Sequence, residues 1–278
     1  MPFRVIRGTF HVLGYSPDGD SVRFAADVES RWNLLAGPPV RLNGKRHAQL
    51  RLEAIDTLET HFMNVQQPPD LAVKALDFLL HKLGITGVQW DALRTRITAA
   101  NDATPGYIVT RTTEKNGRPV SFAFTGVPPE ADGAPLFLTA NRAKQSVNAA
   151  SLAEGLAYPT YYIGLFSDLR SALTGLVATA RAANLNIWAE DKTTAGFNVT
   201  SITSITEDHV ILPKLFRRLA EYLENGGSLN GFKQFLESGQ EAITILSSMH
   251  FTHFDTIVNV SGTTVQMTEP PENVVFAE

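Results

Sequence analysis

Residues 107–125 read YIVTRTTEKNGRPVSFAFT: two runs rich in β-branched and aromatic residues, joined by Lys115-Asn116-Gly117. Asn-Gly accepts the positive φ of a tight turn, so the spacing predicts a β-hairpin over Tyr107–Thr113 and Pro119–Thr125. Toward the N-terminus, strand-like alternation over Phe3–Leu13 and an apolar run over Val22–Ala26 flank Pro17-Asp18-Gly19, which predicts a second hairpin. A further strand is expected over Gln49–Ile55, then a helix opened by Pro68-Pro69. Its stripe of Ala72, Ala75, Leu76, Leu79, Leu80 and Leu83 repeats every 3.6 residues. Toward the C-terminus, helices are expected over Asn141–Ala153 and from a Ser167 N-cap to Ala183. Strands, a helix, another hairpin and two more helices predict an α+β chain built on a β-barrel element.

Beyond Gly196 the pattern changes, and we divide the chain there into residues 1–196 and a small C-terminal α+β module, 197–278. In the module a β-rich stretch, Val199–Leu212, precedes a helix opened by Pro213 and a second capped by Ser228. Strands over Thr256–Val260 and Thr263–Thr268 close it. Charge divides at the same place. Residues 1–196 carry 20 Lys and Arg against 18 Asp and Glu, whereas residues 197–278 carry 4 against 10. An acidic module repels polyanions, so a nucleic-acid ligand has to contact the first part. The module is expected to meet protein instead, as a homodimer contact or by docking on the first part.

The composition removes several classes. The 278 residues contain 44% hydrophobic and 19% charged side chains, enough to build a core of ordinary size. With no cysteine, disulfides, thiolate metal sites and cysteine nucleophiles are all absent, so a metal has to sit on oxygen or imidazole. No apolar run reaches 18 residues and the start, MPFRVIR, has no long apolar stretch, so no membrane partner and a cytoplasmic location are expected.

Three short segments gather charge where a turn or strand end would aim it. In DGDSV, Asp18 and Asp20 flank a glycine and can direct oxygen ligands at a hard cation; the same residues also make a good plain turn. In RLEAIDTLE, Arg51, Glu53 and Ile55 share one strand face, and Asp56 and Glu59 follow where strand meets loop, a place that suits a site or a solvated rim. In EKNGR, Arg118 follows the hairpin turn. His250 and His253 lie three apart in a β-rich context with no third ligand nearby, and read as incidental.

In order along residues 3–196, these segments and two others resemble the staphylococcal nuclease (thermonuclease) family. That family reads D-G-D-T-V, R-L-x-x-x-D-T-P-E, a helix, D-K-Y-G-R, G-L-A, then L-N-I-W-x-E-D; the counterparts are Asp18–Val22, Arg51–Glu59, Glu114–Arg118, Gly155–Ala157 and Leu185–Asp191. The resemblance implies a five-stranded OB-like barrel with three helices and a calcium-dependent site hydrolysing DNA or RNA with little sequence preference; magnesium or manganese would serve the same oxygens. It gives Asp20 and Asp56 to the metal as carboxylate ligands, and Thr57 as the residue whose carbonyl completes it. Glu59 becomes the general base, Arg51 and Arg118 the phosphate-binding arginines, and Tyr161 a ring near the bound nucleotide. Leu58 stands in place of the family's proline, Asn116 in place of a tyrosine, and Ile163 in place of a second tyrosine. The stretches between Asp20 and Arg51 and from Gly84 to Gly106 are expected insertions. The alternative is a non-catalytic OB-fold scaffold for nucleic acid or protein. The retained carboxylates speak against it, because a carboxylate beside a phosphate is repulsive unless a cation intervenes.

Overall fold

The computed structural model describes residues 2–226 and 228–277. The chain is α+β and forms two compact units, one of residues 1–53 and 76–151, the other of residues 54–75 and 152–278.

In the first unit, the strand Phe3–His11 is buried at Phe3 and Val5 on one face and at Ile6, Gly8 and Phe10 on the other. This strand pairs antiparallel with Arg23–Ala26 on one side and with Thr104–Thr113 on the other. The hairpin expected from residues 107–125 is present, Thr104–Thr113 pairing with Pro119–Thr125. Pro119–Thr125 then takes Arg51–Leu52 in parallel, and Arg23–Ala26 takes Ala48–Gln49. The two ends of this sheet are therefore Ala48–Gln49 and Arg51–Leu52, separated in sequence by Leu50 alone. Leu50 donates its N–H to Val22 and Leu52 donates to Asp20, at 2.9 and 3.0 Å. The sheet thus curls into a nearly closed barrel, and Ile6, Phe10, Phe24 and Ile108, buried on one face of the pleat, fill it with Leu50. Gly106 makes room for that filling, since a Cβ there would lie 2.5 Å from the Phe10 ring.

The stripe predicted on the helix holds: Pro69–Lys82 is helical, and Ala72, Ala75, Leu76, Leu79 and Leu80, with Leu83 just beyond, are all buried. Other expectations need correction. The strand expected over Gln49–Ile55 is broken into Ala48–Gln49, Arg51–Leu52 and Ile55–Asp56: at Leu50 the chain changes partner strands, and at Ala54 a left-handed φ of 69° departs from strand geometry. The helix expected over Asn141–Ala153 is two, Ala140–Ala143 and Val147–Ala153, the first capped by the Thr139 side chain. Ser167 is the first residue of the helix Ser167–Ala182 rather than its cap, which is Phe166.

In the second unit, Ile55–Asp56 pairs antiparallel with Tyr158–Pro159. A four-stranded sheet runs Tyr161–Tyr162, Val274–Phe276, Ala242–Ile245, His250–His253. A three-stranded one joins Phe197–Asn198, Thr264–Met267 and Val258–Ser261. The boundary expected after Gly196 is crossed by the pairing of Tyr161–Tyr162 with Val274–Phe276. Val199–Leu212 is not strand; it holds a π-helical turn at Ser204–Asp208. The Pro213 helix spans Pro213–Glu224, and after Ser228 a short 3-10 turn, Leu229–Gly231, leads into Phe232–Gly239. Among the described residues, no helix is long and apolar enough to cross a membrane.

Candidate functional site

Three expected site residues belong to the first unit. The Asp18–Asp20 turn is tied to the barrel through the Asp20 carbonyl, which accepts from Leu52, the neighbour of Arg51. Arg51 lies beside Val120 in the parallel pairing. Arg118 is two positions before Val120, so strand alternation starts both arginines on the same side of the pleat. Arg118 is fixed by the turn that it closes: its backbone N–H and Nε donate to Glu114 Oε1 at 3.1 and 3.2 Å. Asn116, where the resembling family has a tyrosine, donates to the same carboxylate from its backbone and its amide. Burial pushes the Glu114 carboxyl up, but these bonds and the Arg118 charge outweigh it and hold it below the usual carboxylate range. The turn arginine therefore has a built position.

The acidic residues of RLEAIDTLE fall in the second unit. Asp56 and Thr57 are buried, and the Thr57 hydroxyl has no hydrogen-bond partner among the described residues. Leu58, which stands where the resembling family has a proline, is buried too. Glu59 is held through its backbone, donating to the Gln67 amide oxygen at 3.2 Å and accepting from the Gln67 N–H at 2.9 Å. Gln67, fully buried, donates in turn to the Ile211 carbonyl at 2.8 Å. Phe62 packs edge-on against Phe216, with ring centroids 6.4 Å apart. These two contacts seat the helix Pro213–Glu224 against the acidic segment.

That helix delivers a residue the sequence reading missed. Arg217 places Nη1 and Nη2 on the two oxygens of Asp56, at 3.0 and 2.7 Å, and Nη1 also donates to Glu59 Oε1. This is the planar fork of a bidentate guanidinium-carboxylate pair with a second acid on the same nitrogen. Burial alone would push the Arg217 guanidinium down, but Asp56 first and then Glu59 hold it well above its ordinary value. A signal was present: three of the four basic residues after Gly196, namely Lys214, Arg217 and Arg218, lie on this one helix of an acidic region.

The structure therefore brings Asp56 and Glu59 together on one positive charge in the second unit, while Arg51, beside Val120, and Arg118, just before Pro119, belong to the first. Tyr161, given to the nucleotide by the resemblance, presents no ring face to solvent; it is fully buried and its hydroxyl pairs with Thr174 Oγ1 at 2.9 Å. Among the described residues no three His, Asp or Glu side chains are grouped to hold a metal ion, and His250 and His253 sit on an edge strand. A separate polar cluster in the first unit joins His11 to Asp102 at 3.0 Å, stacks His11 on His47 at 3.9 Å, and ties His47 to the Tyr15 hydroxyl at 3.1 Å.

No protein-family model matches the chain, and no curated protein matches it either.

Proposed function

We propose that the chain is a divalent-metal-dependent phosphodiesterase of the staphylococcal nuclease type, with an OB-like barrel, that hydrolyses DNA or RNA. The observation that carries this reading is the convergence of Asp56 and Glu59 on a single cation, the Arg217 guanidinium. Two acids that share one positive charge form a position suited to a hard cation, and every expected donor is oxygen. On this reading Asp20, Asp56 and the Thr57 carbonyl would hold the metal, calcium being favoured. When bound, the ion supplies Lewis acidity toward the phosphate and lowers the pKa of water.

The remaining steps belong to the chain's own groups. Glu59 accepts a proton from the attacking water as the new O–P bond forms and the bond to the leaving oxygen breaks. Arg51 and Arg118 hold the non-bridging oxygens with planar donor pairs, which follow the charge into the transition state as lysine cannot. The position that Glu114 gives Arg118 reduces the ordering required when substrate binds.

A second reading has one observation in its favour. The acids are already paired with Arg217, which is what a scaffold without catalysis would retain. Comparing wild type with Glu59→Gln on labelled single-stranded and duplex DNA and RNA in calcium separates the two. The phosphodiesterase reading expects cleavage by wild type and a rate at least about 10²-fold lower in the variant. Binding without cleavage by wild type favours the scaffold.

A further inference from the structure

We propose that Arg217 is an internal counterion that competes directly with a divalent cation for Asp56 and Glu59, keeping the acidic pair closed until the cation displaces it. The inference rests on reading Asp56 and Glu59 as part of a cation site, and it names how that site is regulated. Arg217 uses both oxygens of Asp56 and one of Glu59. A metal ion drawing on the same oxygens would stand where the guanidinium nitrogens are, so the two occupancies exclude one another on steric and electrostatic grounds.

Charge and packing make the competition credible. A dication brings twice the charge of one guanidinium to the same carboxylate oxygens, so it can compete for them. The arginine has the advantage of being preorganised. Its helix is anchored by Leu215, Phe216 and Leu219, all fully buried, and by the Lys214–Glu241 ion pair one turn away. Little side-chain freedom remains to be lost when the fork closes. The adjacent Arg218 takes different partners, Glu241 and Glu221, so it does not duplicate this contact. A purely structural ion pair makes a different demand: replacing its arginine would destabilise the fold without improving metal binding.

The test is calorimetric titration of calcium chloride into the full chain as wild type, Arg217→Gln, and Arg217→Gln combined with Asp56→Asn, with thermal melts of each in calcium and in EDTA. The expected result is that Arg217→Gln binds calcium at least about tenfold more tightly than wild type, and that the double variant loses the gain. A single variant that unfolds in EDTA but folds in calcium supports the proposal as well, because the ion then replaces the arginine. Equal calcium affinity in wild type and Arg217→Gln, no binding by either, or a variant unfolded in both conditions would overturn it. Cleavage is a separate readout: calcium binding that tightens as expected without any cleavage defeats the phosphodiesterase reading and leaves the competition standing.

Discussion

Tyr158 donates its hydroxyl hydrogen to Asp191 Oδ1 at 2.7 Å, which ties the residue after the Gly155–Ala157 motif to the last residue of LNIWAED. The same oxygen accepts from the Thr193 N–H and hydroxyl. Tyr158 is fully buried and lies opposite Asp56 in the strand pairing, so this bond supports the acidic segment from behind. Burial first, and then the Asp191 charge, push the phenol well above its ordinary value, which keeps it a donor. Asp191→Ala leaves that donor buried without its acceptor and is expected to cost about 1–3 kcal/mol. Thermal melts should show a fall of several degrees for Asp191→Ala and a smaller one for Tyr158→Phe.

Gly155 has a φ of 64°, and a Cβ there would stand 2.4 Å from the Leu185 carbonyl oxygen. Its own carbonyl accepts from the Ile187 N–H at 3.0 Å. Gly155→Ala therefore combines a left-handed strain of about 1–2 kcal/mol with a backbone clash. The expected loss in denaturant melts is at least about 2 kcal/mol, whereas Gly175→Ala, where a Cβ meets nothing within 4 Å, should be neutral or stabilising.

Lys214 is nearly fully buried; it pairs with Glu241 and lies 4.1 Å above the Phe276 ring. Glu241→Gln strands the buried ammonium and also weakens the Arg218 contact, so a loss of about 3–5 kcal/mol is expected. Adding Lys214→Met, which removes the stranded charge, should recover much of it. A double variant no more stable than Glu241→Gln alone would count against this account of the pair.

His47 gives stability a pH dependence. Burial, then the neighbouring His11 and Lys45, push its imidazole down from 6.5 to about 4, against a smaller upward pull from Asp102; Arg23 adds to the lowering. Between pH 6.5 and 4 the unfolded chain takes up a proton that the folded chain refuses, so this group's contribution to stability is present above pH 6.5 and falls as the pH drops. His47→Gln should make the decline of melting temperature across that window shallower. Identical slopes would show that His47 does not control it.

What was legible in the sequence was local. The stripe from Ala72 to Leu83 has one period and one face, and every member is buried. The hairpin at 107–125 carries its turn chemistry in three residues. The break at Ala54 was hidden because its positive φ is imposed by the surrounding structure and not by its residue type. The tyrosine at 161 reads as a nucleotide contact by its place in the motif order, while its burial depends on Thr174 and the strand Val274–Phe276. Arg217 was hidden most thoroughly, since its partners Asp56 and Glu59 lie 161 and 158 residues away.

On the proposed reading, Asp56 and Glu59 serve a cation on which phosphodiester cleavage depends, and Arg217 contests their use. The most direct measurement is the initial rate of cleavage of a labelled single-stranded DNA by the full chain against free calcium concentration, wild type beside Arg217→Gln. The account predicts saturable rates in calcium and none in EDTA, with the variant reaching half-maximal rate at a calcium concentration at least about tenfold lower. Cleavage that persists in EDTA, or its absence from both proteins at every calcium concentration, would contradict it.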